Sequence, residues 1–99
     1  MSNLIRHIII RGLVQGVGYR AFVADEAQAR RIEGWVRNRR DGTVEAVFSG
    51  PAEMVDPMIE ACRKGPWGSQ VDGLEARAAT ADELGLRRSG ENFSVLPTA

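Results

Sequence analysis

Residues 14–20 of this 99-residue chain are Val14-Gln15-Gly16-Val17-Gly18-Tyr19-Arg20. An apolar run ending at Ile10 precedes the stretch, and a helix-like segment beginning at Ala21 follows it. The pattern predicts a two-glycine turn between a strand and the start of a helix. Free N–H groups at a helix start attract anions, and glycine lets an anion approach the backbone. Because Arg20 adds a planar cation suited to phosphate, we predict that this loop holds a phosphate-sized anion.

Length and composition indicate one small globular domain, which we expect to span residues 1–99. The formal net charge of +0 gives no indication of a nucleic-acid partner. The single cysteine, Cys62, excludes a disulfide within the chain, and the single histidine, His7, argues against a metal site. We expect no signal peptide, because the apolar run Ile8-Ile9-Ile10 is short and lies between Arg6 and Arg11, and no apolar run reaches membrane-spanning length. We therefore expect a cytoplasmic protein that does not contact a membrane.

Hydrophobic alternation predicts strands at 4–13, 35–38, 43–49, 71–79 and 93–96. Helical spacing predicts helices at 19–32 and from Pro51 to Gly65, with a short helical turn around 82–84. We expect Gly34 to break the pattern before the second strand and Asp41-Gly42 to turn a hairpin. The order βαββαβ with a short C-terminal strand predicts an α+β, ferredoxin-like split βαβ sandwich. Its antiparallel sheet should have the order 4-1-3-2, with two helices on one face and the last strand at an edge.

This topology brings a second polar residue towards the glycine loop. The first and second strands run parallel on either side of the third, so their C-terminal ends lie at the same end of the sheet. Asn38 ends the second strand and lies on the order of 10 Å from the loop, at about 4.8 Å per strand spacing. We therefore expect Arg20 and Asn38 to converge over one small ligand.

Two segments resemble the signatures of the acylphosphatase family. The first is Gly12-Leu13-Val14-Gln15-Gly16-Val17-Gly18-Tyr19-Arg20. The second is Gly34-Trp35-Val36-Arg37-Asn38 followed by Asp41-Gly42-Thr43-Val44-Glu45. The Gly65-Pro66 helix end and Phe93 match as well, so the resemblance covers residues 7–96 and supports the same fold.

The resemblance implies a small hydrolase, free of metal and cofactor, that cleaves small-molecule acyl phosphates to a carboxylate and phosphate. The family's phosphate-binding arginine corresponds to Arg20 and its water-orienting asparagine to Asn38. The backbone cradle for phosphate corresponds to residues 15–20, namely Gln15, Gly16, Val17, Gly18, Tyr19 and Arg20. We expect a monomer. One departure is Arg30-Arg31, where the family commonly has an aliphatic residue followed by glycine.

Other functions remain possible on this fold. A non-catalytic phosphate-binding or regulatory module would keep the anion site without turnover. An RNA-binding domain would need stacked aromatic side chains on the central strands and a basic sheet face, and the chain has only six aromatic residues. A third alternative is an acyl-phosphate-handling domain of a larger maturation enzyme. Hydrolysis of a synthetic acyl phosphate separates the leading hypothesis from the first two.

Overall fold

The computed structural model describes residues 3–99, which form one five-stranded sheet with three helices. The elements are β1 (Asn3–Leu13), α1 (Tyr19–Ala29), β2 (Glu33–Asn38), β3 (Val44–Pro51), α2 (Ala52–Lys64), β4 (Gln70–Ala78), α3 (Ala81–Leu84) and β5 (Phe93–Val95). The prediction for the first helix was too long, because α1 ends before Arg30. None of the helices in this part of the chain has the length and apolar character needed to cross a membrane.

The sheet has the order β4-β1-β3-β2-β5, which confirms the predicted 4-1-3-2 order and the edge position of the last strand. The prediction of an antiparallel sheet was wrong for β5, which runs parallel to β2 and makes the sheet mixed. The reason is where β4 ends. Its last residues pair with Arg6 near the start of β1, at the end of the sheet where β2 begins. A chain that crosses the sheet from that end enters β5 in the direction of β2.

The two faces of the sheet pack against different elements. On one face, Ile8 and Ile10 of β1 are fully buried in the main core with residues of α1 and α2, as two helices on one face require. On the other face, Trp35 and Val47 form a second cluster with Leu96, and Leu84 of α3 packs against it. The third, short helix therefore lies on the face opposite the two long ones.

Gly34 lies inside β2, so the prediction that it breaks the pattern was wrong. Its φ is 149°, and a Cβ atom built there would lie 1.8 Å from the carbonyl oxygen of Val47. The neighbouring strand approaches too closely for any side chain. The glycine is therefore needed for strand contact and not for a turn.

The end of α1 explains the position of the two consecutive arginines. The N–H of Ile32 donates to the carbonyl of Ala27 at 2.9 Å, and the N–H of Arg31 donates to Gln28 at 3.1 Å. These two bonds form a Schellman motif, which places Arg31 in the left-handed region with a φ of 55°. Arg30 stays in ordinary backbone conformation and pairs with Glu26 at 2.6 Å.

Candidate active site

The loop between β1 and α1 has the conformation that the two glycines allow. Gly16 and Gly18 have φ angles of 75° and 78°, both in the left-handed region. Gly18 is the N-cap of α1, and no side chain caps the helix there. The first intrahelical bond runs from the N–H of Phe22 to the carbonyl of Gly18. The backbone N–H groups of the first turn, together with the helix dipole, therefore face a space suited to an anion.

Gln15 fastens this loop to the hairpin between β2 and β3. Its side-chain amide donates to the carbonyl oxygens of Arg39 and Thr43, each at 2.8 Å. The hairpin itself turns at Asp41-Gly42, and the Asp41 carboxylate accepts from the backbone N–H of Thr43 at 3.0 Å. The side chain of Gln15 therefore connects the two halves of the site.

Arg20 is the second residue of α1 and is half-buried. Within residues 3–99 its guanidinium makes no ion pair with an acidic side chain. A cation held on a rigid helix start without a carboxylate partner keeps its donors available for an anionic ligand.

Asn38 is the last residue of β2 and lies opposite Val44 of β3. Its side-chain oxygen Oδ1 is buried and has no hydrogen-bond partner among the residues that the structure describes. Leaving a buried acceptor unpaired costs about 1–3 kcal/mol, and such groups concentrate at functional sites. This oxygen is therefore placed to accept a hydrogen bond from a ligand or a water molecule.

Arg20 and Asn38 line the same cavity, whose volume is about 330 Å³. The lining residues are Val14, Gly16, Gly18, Tyr19, Arg20, Ala21, Asn38 and Val95. Gln15 and Val17 of the predicted cradle lie outside this lining. Val95 of β5 is a lining residue that the sequence analysis missed, because a three-residue strand gives no indication of which element it will join.

A larger cavity of about 970 Å³ lies beside α1 and α2. Its lining includes three acidic residues, Glu26, Asp56 and Glu60, and lacks the glycine loop. Two of these carboxylates already pair with arginines of the same lining, Glu26 with Arg30 and Glu60 with Arg63, and neither Arg20 nor Asn38 lines this cavity. We therefore assign the chemistry to the smaller cavity at the start of α1.

Tyr19, the first residue of α1, is packed beneath the loop with 1% of its surface exposed. Its hydroxyl donates to the backbone carbonyl of Cys62 in α2, and burial raises the pKa of this phenol well above its ordinary value. Burial also raises the pKa of the Cys62 thiol to about 12. Neither group can supply a proton or a nucleophile near neutral pH, so both serve the packing of the loop.

Three or more His, Cys, Asp or Glu side chains do not gather anywhere in residues 3–99 in a way that could hold a metal ion. The polar groups that line the cavity are instead one guanidinium, one carboxamide and backbone N–H groups. Such a set can bind and polarise a phosphoryl group and orient a neutral nucleophile.

A family model for the acylphosphatases matches residues 6–90, most of the chain. The chain belongs to the acylphosphatase family. An acylphosphatase from Bradyrhizobium diazoefficiens is 58% identical over 98 residues, which cover 99% of each chain. An acylphosphatase from the BisB18 strain of Rhodopseudomonas palustris is 54% identical over the same coverage.

Solved structures agree with this acylphosphatase assignment. The crystal structure of acylphosphatase from Bacillus subtilis has a TM-score of 0.81 and 36% identity, and the match covers 94% of this chain and 98% of that one. Full-length HypF, crystallised in a phosphate- and nucleotide-bound form, has a TM-score of 0.83 and 25% identity. That match covers 98% of this chain and 12% of HypF, so the matching region is a small part of a larger protein.

Behind Asn38, the acylphosphatase sheet carries a buried charge cluster centred on Glu45. Its carboxylate accepts from His7 Nε2 at 2.6 Å and from Arg37 Nε at 2.7 Å, and Arg39 lies 3.4 Å away. Burial alone would raise the pKa of Glu45, but these hydrogen bonds outweigh it and hold the pKa below its ordinary value. The cluster joins β1, β2 and β3 at the residues that flank Asn38 and thereby stiffens the hairpin.

Proposed function

We propose that this protein hydrolyses the carboxyl–phosphate bond of small acyl phosphates, with Arg20 and Asn38 as its catalytic residues. The observation that carries the proposal is the shared cavity beside a glycine-rich helix start. It is lined by Arg20 and Asn38, and among residues 3–99 the arginine has no acidic partner and the buried asparagine oxygen has no hydrogen-bond partner. The close relatives in the acylphosphatase family support the same reaction.

Arg20 and the backbone N–H groups of residues 15–20 bind the phosphoryl group. The guanidinium fork and the N–H groups stabilise the three equatorial oxygens as charge spreads over them in the loose transition state. This contribution requires positive charge and rigid donors and involves no proton transfer. It fits a site whose cation lies on the first turn of α1.

Asn38 orients the attacking water through Oδ1. The water oxygen forms a bond to phosphorus while the bond from phosphorus to the acyl oxygen breaks, and its electron pair leaves on the carboxylate. The products are R–COO⁻ and H₂PO₄⁻, so both water protons stay with phosphate. A carboxylate is a good leaving group, and the reaction therefore needs positioning more than acid or base assistance.

The remaining properties follow from the same proposal. We propose that residues 1–99 act as one acylphosphatase domain, a monomer in the cytoplasm that uses no metal or cofactor. The unpaired, buried thiol of Cys62 supports a reducing compartment. Burial of one sheet face by α1 and α2, with charged side chains such as Glu75 and Arg77 on the open part of the other face, supports a monomer. Light scattering during size-exclusion chromatography measures the oligomeric state.

The direct test is turnover of a synthetic acyl phosphate, such as benzoyl phosphate, in excess chelator. We expect hydrolysis that survives chelation and is inhibited by inorganic phosphate. A folded wild-type protein that binds phosphate without hydrolysing the substrate would be a phosphate-binding module and not an enzyme. Loss of turnover on chelation would contradict the metal-free mechanism.

Two variants separate the roles of the catalytic pair. Arg20→Ala should abolish turnover and weaken inhibition by phosphate, because it removes the cationic side chain that binds phosphate. Asn38→Ala should abolish turnover and leave inhibition by phosphate intact. Arg40→Ala and Asn92→Ala are matched controls, since both residues are exposed and lie outside the cavity lining. Equal loss of phosphate binding in both site variants would refute the water-orienting role of Asn38.

A further inference from the structure

The chain continues past β5 along the edge of β2. The N–H of Leu96 donates to the carbonyl of Val36 at 2.9 Å, and the N–H of Ala99 donates to the carbonyl of Asn38 at 3.0 Å. Residues 96–99 thus extend the pairing of β5 to the very end of β2. The backbone of Asn38 is held from both sides, by Val44 of β3 and by Ala99.

Ala99 also forms a backbone hydrogen bond with Arg40, in the hairpin that follows β2. The N–H of Arg40 donates to the carbonyl of Ala99 at 2.9 Å, so one residue bridges positions 38 and 40. Leu96 anchors the segment from the other side, since it is 9% exposed and packs in the second cluster with Trp35. Val95 lines the catalytic cavity itself. Residues 95–99 are therefore packed and hydrogen-bonded as part of the site.

We propose that Ala99, through its backbone, is a positioning residue for Asn38. This rests on the proposed function, in which Asn38 orients the attacking water. A strand end frays unless its backbone groups are bonded on both sides, and fraying at Asn38 would move the carboxamide relative to the phosphoryl group. Displacement of a positioning group by about 1 Å can cost two orders of magnitude in rate.

Loss of the Ala99 bonds should affect rate and leave phosphate binding unchanged. Ala99 makes no hydrogen bond to the phosphate cradle, whose link to the hairpin is the Gln15 amide, bonded to Arg39 and to Thr43. Arg20 lies on α1, which this segment does not bond. A split between kcat and phosphate inhibition therefore distinguishes positioning of Asn38 from a general loosening of the site.

Three substitutions isolate the hydrogen bond. Ala99→Pro removes the N–H that donates to Asn38, whereas Ala99→Gly keeps it. Thr98→Pro is the matched control, because the N–H of Thr98 makes no backbone hydrogen bond within residues 3–99. We expect Ala99→Pro to lower kcat by about tenfold or more, with the inhibition constant of phosphate unchanged. Ala99→Gly and Thr98→Pro should retain the wild-type kcat.

Several outcomes would overturn the inference. These are an unchanged kcat in Ala99→Pro, an equal loss in Thr98→Pro, and a parallel loss of phosphate inhibition. The side-chain amide signals of Asn38 in nuclear magnetic resonance, assigned by their absence in Asn38→Ala, give a readout without turnover. They should shift or broaden in Ala99→Pro and stay unchanged in Thr98→Pro. If the wild-type protein has no activity, the proposed function fails, and these signals still decide whether Ala99 positions Asn38.

Discussion

The hydroxyl of Tyr19 caps the end of α2 by donating a hydrogen bond to the carbonyl of Cys62. This carbonyl belongs to the last turn of α2, where carbonyl groups lack a partner within the helix. The first residue of α1 is thereby tied to the last turn of α2. The bond also gives the buried tyrosine hydroxyl the acceptor that it needs.

Tyr19→Phe should lower the free energy of unfolding by about 1–2 kcal/mol, because it leaves that carbonyl unpaired in a buried place. The ring and the backbone N–H groups of the loop remain, so kcat should stay at the wild-type value. Urea unfolding and a turnover assay measure the two quantities. A variant as stable as the wild type would show that the bond contributes nothing.

Gly34→Ala should destabilise the fold by about 3 kcal/mol or more, because the new methyl group would collide with the carbonyl of Val47 in an unfavourable φ region. Gly73→Ala in β4 is the control. The space there is open, with the guanidinium of Arg11 3.8 Å away as the nearest group, and the φ is ordinary. Thermal unfolding of the two variants checks the difference, and comparable melting temperatures would contradict the close approach of β2 and β3.

Arg31→Gly should stabilise the protein. A side chain in the left-handed region costs about 1–2 kcal/mol, and the extra freedom of glycine in the unfolded chain offsets about half of this. We therefore expect a gain of about 0.5–1 kcal/mol in unfolding by urea. Arg30→Gly is the control and should destabilise, because Arg30 has a φ of −98° and pairs with Glu26. Equal effects at both positions would contradict the Schellman geometry.

Glu45→Gln should destabilise the protein by about 1–3 kcal/mol at pH 7, since the charge that pairs with His7 and Arg37 is lost. The pKa of Glu45 is lowered in the folded state, so its carboxylate stabilises the fold above the ordinary value of 4.5. This contribution is lost as the pH falls below 4.5 and through the lowered pKa. The stability difference between variant and wild type should therefore shrink in acid. If the difference in free energy of unfolding grew below pH 4.5, it would contradict a lowered pKa for Glu45 in the folded state.

Asn38→Asp tests why the site uses a neutral amide. The substitution keeps the shape of the side chain and adds a negative charge beside the phosphoryl group. We expect loss of turnover together with phosphate inhibition weakened by about tenfold, whereas Asn38→Ala should lose turnover alone. Inhibition constants for phosphate in the two variants decide the point. Equal constants would mean that Asn38 lies too far from the phosphoryl group to sense its charge.

Much of the fold could be predicted because local patterns and topology agreed. The alternation in β1 and β3, the stripe along α2 and the Asp41-Gly42 turn led to the correct strand order. That order brought Arg20 and Asn38 to one edge of the sheet. The direction of β5 could not be predicted from three residues, because the end of β4 determines it.

The buried charge cluster around Glu45 also could not be predicted from local sequence patterns. Glu45 alternates with Val44 and Ala46, which indicates an exposed carboxylate when the strand is considered alone. Its burial depends on hydrogen-bond donors from two other strands, His7 in β1 and Arg37 in β2. Likewise, the role of Ala99 depends on backbone bonds that any residue except proline could make, so side-chain identity gives no signal.

The parallel pairing of β2 with β5 has a consequence for local unfolding. Strands β1 to β4 and both long helices lie within residues 3–78, so residues 93–99 can detach while those elements stay paired. In that open state β2 is an edge strand with unpaired N–H and C=O groups, and the backbone of Asn38 is bonded on one side only. A molecule in this state would be largely folded yet catalytically silent and open to strand pairing with other chains. A single opening event at this edge would therefore govern both activity and aggregation.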